Sequence, residues 1–132
     1  MTKRIGDFKL LPLLAVTEWM IRKAAKRSAR IRALLQEESF IFQIVTRSGV
    51  GGHFLLKDGR LRLRWGQHEK PDFCQIWCTG TDAVRTLTSK DETSMLRSFE
   101  EGRYKMDGKF TVALWFNEVM KLARHADAEP GL

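Results

Sequence analysis

Cysteine and proline are scarce in this chain, two and three in 132 residues, and each scarcity removes an architecture. Cys74 and Cys78 stand four apart in DFCQIWC. On a strand rising about 3.3 Å per residue they would lie roughly 13 Å apart, beyond the reach of a disulfide. A disulfide-stapled fold is excluded, and both cysteines read as buried apolar residues suited to a reducing, cytoplasmic compartment. His53, His68 and His125 are scattered and join no cysteine at metal-ligand spacing, so neither a metal nor a cofactor is expected. With 3 prolines and 43% hydrophobic residues the composition is that of a folded domain and not of a disordered chain. The longest apolar run, residues 10–16, has seven residues against the roughly 18 that a membrane span needs. It follows Lys3, Arg4 and Lys9 and faintly imitates a secretory signal, but Asp7 interrupts it and the helical pattern continues beyond it. There is also no Gly-x-Ser-x-Gly elbow and no histidine clustered with a nucleophile. Glu100 and Glu101 are adjacent and point in different directions, so no enzyme is expected.

Positive charge, by contrast, is plentiful. Lysine and arginine number 23 against 16 acidic residues, a formal charge of +7, which attracts the phosphates of nucleic acid or of anionic lipid. From Leu13 to Leu35 the spacing predicts one helix whose apolar face carries Leu13, Val16, Met20, Ala24, Ile31 and Leu35. Arg22, Lys23, Lys26 and Arg30 gather on the opposite side, and Trp19 falls among them. A tryptophan beside lysines is how a helix rests on an anionic membrane surface. A cation–π contact with Lys23, or simple packing, is the plainer account of the same pattern.

After Ser39 the period becomes two. SFIFQIVTR reads as a central strand, apolar on both faces, with Phe40, Phe42 and Ile44 on one side and Ile41 and Val45 on the other. SGVGG is a loop. HFLLKDGRLRLRW contains Asp58-Gly59, the strongest short signal for a tight type I′ hairpin, with Leu61, Leu63 and Trp65 inward and Arg60, Arg62 and Arg64 outward. The arginine row could take nucleic acid, but readers of RNA on a sheet stack bases on aromatics of the same face, and Trp65 and Phe54 belong to the inward set. Edge protection suffices to explain it. DFCQIWC is a further strand. Thr79-x-x-Asp82 and Ser89-x-x-Glu92 read as capping boxes opening two short helices, the second running through Met95, Leu96 and Phe99. Gly102 suits a helix C-cap, RYKMD a last short strand, and Gly108 its end. The final helix, KFTVALWFNEVMKLAR, is apolar on more than one side and must be buried on both, or cover a cavity or a partner.

Phe99-x-x-Gly102-x-Tyr104-Lys105-Met106-x-Gly108, after a short helix and before an apolar helix, resembles the sterol carrier protein 2 family, and the order of elements resembles it from about Ala24 to Leu122. The resemblance implies an α+β fold: a five-stranded mixed sheet of order 3-2-1-4-5, covered by helices around a hydrophobic tunnel for sterols, fatty acids or other acyl lipids. One domain would span residues 1–132, with 1–12 as an N-terminal extension and 125–132 as a tail. The closing AEPGL is no peroxisomal address.

The leading expectation is therefore non-catalytic binding, and transfer, of a hydrophobic ligand. Its candidate lining is Phe40, Phe42, Leu63, Trp65, Met95, Phe99, Met106, Phe110, Leu114 and Phe116, which periodicity identifies only as inward-facing. Trp19, Arg22, Lys23, Lys26 and Arg30 form the candidate anion or membrane surface. Nucleic-acid binding through Arg60, Arg62 and Arg64, and a homodimer or interaction module with a filled cavity, are the alternatives.

Overall fold

The computed structural model describes residues 6–91 and 93–126. Residues 1–5 of the expected extension, Glu92 of the second expected capping box, residues 127–132 of the tail and the His125 side chain lie outside the described residues. Among the described residues, helices and strands follow in the order α1 (Leu10–Arg27), α2 (Ala29–Glu37), β1 (Phe40–Thr46), β2 (Gly51–Lys57), β3 (Arg60–Trp65), β4 (Phe73–Trp77), α3 (Gly80–Leu87), α4 (Ser94–Glu100), β5 (Tyr104–Gly108) and α5 (Phe110–Ala126). The sheet order is β3-β2-β1-β4-β5. Only β1 and β4 are parallel, because the chain crosses over through the hairpin between them, and every other pairing is antiparallel. This is the mixed α+β sheet, with the strand order, that the family resemblance implied.

The helices cover one face of the sheet. Opposed strand residues share a face, so the register Phe42↔Phe54, Phe42↔Phe73 and Phe54↔Leu63 lines phenylalanines and leucines across four strands on that side. The Asp58-Gly59 turn takes positive φ at both residues, 53° and 77°, the type I′ geometry that holds this register.

The single helix expected over Leu13–Leu35 is two helices. Ser28 is extended (φ −119°, ψ 114°) and its Oγ accepts from the Ile31 N–H at 3.2 Å, which ends α1 and caps α2. The apolar face is also rotated from the expected one. Leu10, Leu14, Thr17, Ile21 and Ala24 are buried, whereas Val16 is exposed and Leu13 and Met20 are half-buried. The broad apolar content of this helix allowed either phase, and packing against β2, β3 and α5 selects one. Residues 6–12 pack with the rest: Leu10 is fully buried, and buried Asp7 accepts from the Gly80 N–H at 2.7 Å and the Ser48 hydroxyl at 2.6 Å.

The Thr79 cap forms as expected, its hydroxyl accepting from the Asp82 N–H at 3.1 Å. Ser89 does not open a helix. Asp91 Oδ1 accepts from both the N–H and the hydroxyl of Thr93, and this Asx turn delays α4 to Ser94.

Candidate ligand site

The volume between the sheet and α5 is filled by rings. Phe116 of α5 lies 4.6 Å from Phe42 and 5.3 Å from Phe54, centroid to centroid, and Phe42 meets Phe73 edge-on at 5.2 Å. Beside them Phe40 meets Trp115 at 4.7 Å, and the Trp115 indole N–H donates to the Leu34 carbonyl at 3.0 Å, so α2 and α5 are tied together over β1. Such edge and tilted contacts add roughly 0.5–1.5 kcal/mol each beyond area burial. A second cluster stacks Trp77 on Tyr104 at 4.5 Å, with Phe99 against the tyrosine at 5.6 Å.

Of the ten candidate lining residues, the structure joins Phe40, Phe42 and Phe116 in the first cluster, and Leu63, Met95 and Met106 pack half-buried against the core. Four are corrected from interior to surface positions. Trp65 is 56% exposed, Phe99 45%, Phe110 54% and Leu114 57%. Trp65 does share the helix-facing side, opposite Gly52, but it ends the edge strand with more than half of its surface in solvent. Phe110 and Leu114 lie one turn apart on the outer side of α5, whose inner side buries Val112, Phe116, Val119 and Ala123. Phe99 lies in the last turn of α4 with the Tyr104 ring beside its own. Phe54, Phe73 and Trp115 complete the cluster and were absent from the candidate lining. For Phe54 the signal was present, since the two-residue turn sets its parity with Leu61 and Leu63.

The other face of the sheet mixes the apolar Ile41, Val45, Leu55 and Ile76 with polar groups that bond one another. Gln43 accepts from the His68 N–H at 2.6 Å and donates to Cys74 Sγ at 3.4 Å, while His53 and His68 meet edge-on at 5.2 Å. Burial pushes the Cys74 thiol above its ordinary range, opposed by the Gln43 hydrogen bond and assisted by nearby Asp107. Burial alone raises Tyr104. No group of three potential metal ligands occurs among the described residues.

Two grooves open on the basic side. One of about 270 Å³ runs between α1, the start of β3 and α2, lined by Arg22, Ala25, Lys26, Leu35, Gly59, Arg60, Leu61 and Arg62. The other, about 260 Å³, is lined by Glu18, Trp19, Arg22, Lys23 and Lys26. Trp19 is 59% exposed and carries the Lys23 ammonium 4.8 Å above its ring, the plainer of the two arrangements expected for it. Arg30 lies apart from both grooves, 3.9 Å from Glu118 of α5. No described helix is long and apolar enough to cross a membrane.

No protein-family model and no curated protein matches the chain by sequence. Solved structures do match. A UbiJ-SCP2 ubiquinone synthesis protein superposes with TM-score 0.61 at 15% identity, covering 91% of this chain and 96% of its own. Sterol carrier protein domain 2 of Helicoverpa armigera matches with TM-score 0.59 at 20% identity, over 96% of this chain and 94% of that one. The S233Y F250G double mutant of the sec-alkyl sulfatase PisA1 matches with TM-score 0.54 at 17% identity, over 69% of this chain but 14% of the sulfatase. With the sheet order, the parallel β1–β4 pair and the helix-covered ring cluster, these likenesses identify the fold as that of sterol carrier protein 2.

Proposed function

We propose that this chain is a non-catalytic carrier of a hydrophobic ligand, a sterol, fatty acid or other acyl lipid, taken up between α5 and the helix-covered face of the sheet. The observation that carries the reading is the ring cluster itself. In a fold shared with sterol carrier proteins, Phe40, Phe42, Phe54, Phe73, Trp115 and Phe116 fill the space under one apolar helix. Ligand entry requires these rings to re-pack and α5 to lift. The chemistry needs no catalytic group: a buried chain gains about 0.8 kcal/mol per methylene, so ten methylenes correspond to about 8 kcal/mol before ordering costs are subtracted. Soluble transfer between membranes in the cytoplasm follows from the same reading.

Four tryptophans make the test direct, since Trp19 and Trp65 are exposed while Trp77 is buried and Trp115 packs half-buried in the ring cluster. A W19F/W65F double variant keeps only Trp77 and Trp115. Titrated with a brominated fatty acid, it should show saturable fluorescence quenching at one ligand per chain. Absence of quenching in this variant, with quenching present in the parent protein, would place lipid contact at the surface and overturn the carrier reading.

A further inference from the structure

The 270 Å³ groove combines three features not needed for packing. Arg22 and Lys26 from α1 and Arg60 and Arg62 from the edge strand β3 border it, the two arginines springing from the side of β3 opposite buried Leu61, and none of the four is ion-paired with any described residue. Its remaining lining, Ala25, Leu35, Gly59 and Leu61, brings no acid. Its volume falls below the roughly 300–1,000 Å³ of pockets that enclose a whole drug-sized ligand, which suits a head group more than a complete amphiphile.

The chain already seats one anion at the adjoining position. Glu18 stands four residues before Arg22 and eight before Lys26, so the three share one face of α1. The Glu18 carboxylate accepts the Leu63 N–H at 2.5 Å. β3 is the sheet edge, and Leu63 therefore directs its N–H away from β2. Leu61, two residues earlier, directs its N–H the same way, and no described side chain accepts from it. Where Glu18 faces Leu63 there is an acceptor; one and two helical turns on, where α1 passes Leu61, there are two cations instead. An exogenous anion completes the pattern. The floor leads inward, because Leu35 and Leu61 belong to the hydrophobic core.

Resting on the carrier reading, we infer that this groove is a head-group subsite for an amphiphile bearing a phosphate monoester. The phosphate would accept the Leu61 N–H beside Arg22 and Lys26, with Arg60 and Arg62 folding round the open strand edge onto it, and its chains directed over Leu35 and Leu61 toward the ring cluster. Arginine forks favour a phosphate with several free oxygens over a carboxylate or a shielded diester.

The test is a titration of ¹⁵N-labelled protein, followed by chemical shift, with short-chain phosphatidic acid, the matching phosphatidylcholine, and inorganic phosphate. Phosphatidic acid should bind most tightly and shift the amides of residues 22, 26 and 59–62. The R60Q/R62Q double variant should weaken it on the order of tenfold or more. R64Q removes a cation from the same strand outside the groove and should leave the affinity unchanged. Equal binding of both lipids, unaffected by R60Q/R62Q, would overturn the subsite while leaving the carrier reading standing. Inorganic phosphate binding as tightly as phosphatidic acid would make this a free-anion site and overturn the head-group assignment. Binding of neither lipid would overturn the subsite, and the brominated fatty acid titration would then decide the carrier reading by itself. Displacement of phosphatidic acid by RNA, with a steep salt dependence, would assign the groove to nucleic acid instead.

Discussion

Gly102 and Gly108 flank the same strand but are held to glycine by different forces. Gly102 follows α4 with φ +72°, and a Cβ there would meet nothing within 4 Å. Its N–H donates to Phe99 O at 3.0 Å and the next N–H, of Arg103, to Ser98 O at 2.9 Å, the paired bonds of a Schellman ending. Gly108 has φ +106°, and a Cβ would lie 2.2 Å from the Asp72 carbonyl oxygen. That oxygen accepts the Lys109 N–H, while the Asp72 carboxylate accepts the Ile41 N–H. Gly102→Ala should therefore lose only the left-handed penalty of about 1–2 kcal/mol in a denaturant titration, and Gly108→Ala clearly more; equal losses would contradict the steric argument. Burial raises Cys74 and Tyr104, so both hold their protons more tightly folded than unfolded. Their contribution is whole below the ordinary thiol range and is lost as pH climbs from there toward the raised values. Stability measured by urea titration should fall as pH rises above the ordinary thiol value, and Cys74→Ala should reduce the slope.

At the scale of elements, the strands and the α4–β5 turn were legible because period two and turn chemistry are local. The hairpin, the central strand and the glycine-framed strand appear where alternation, Asp58-Gly59 and Gly102 put them. What was not legible depended on tertiary packing. α1 carries leucines around most of its circumference, and only contact with β2, β3 and α5 decides that Leu14 and Ile21 turn inward and Val16 outward. The α1–α2 break rests on one serine hydroxyl, which Ala24, Ala25 and their neighbours gave no reason to expect. Ser28→Ala should cost about 1 kcal/mol, measured by thermal unfolding. α5 was rightly seen as apolar on two sides, but its outer residues Phe110 and Leu114 are bare. Leu114→Ala should then change stability by less than about 0.5 kcal/mol. Phe116→Leu on the inner side should lower stability by about 1–3 kcal/mol and, by opening the ring cluster, increase lipid uptake. Loss of stability without a gain in uptake would separate the rings from the ligand path.

For the whole molecule, charge and core fall on different parts of one frame. The rings gather beneath α5, while Arg22, Lys26, Arg60 and Arg62 gather where α1 meets the sheet edge. The fold resemblance was readable because the spacing around Gly102 and Gly108 reflects a turn that the topology requires. The site was readable only in part, since alternation reports the side of a strand and not whether a helix covers it, as Trp65 shows. The central claim is that the space under α5 accepts a lipid. Native mass spectrometry of the protein after incubation with a mixed lipid extract, followed by denaturing release and identification, tests it most directly. The account predicts a stoichiometric adduct that yields an acyl lipid or sterol on release. A clean apo mass under conditions where the protein stays folded would contradict it and mean that the rings close the interior for good.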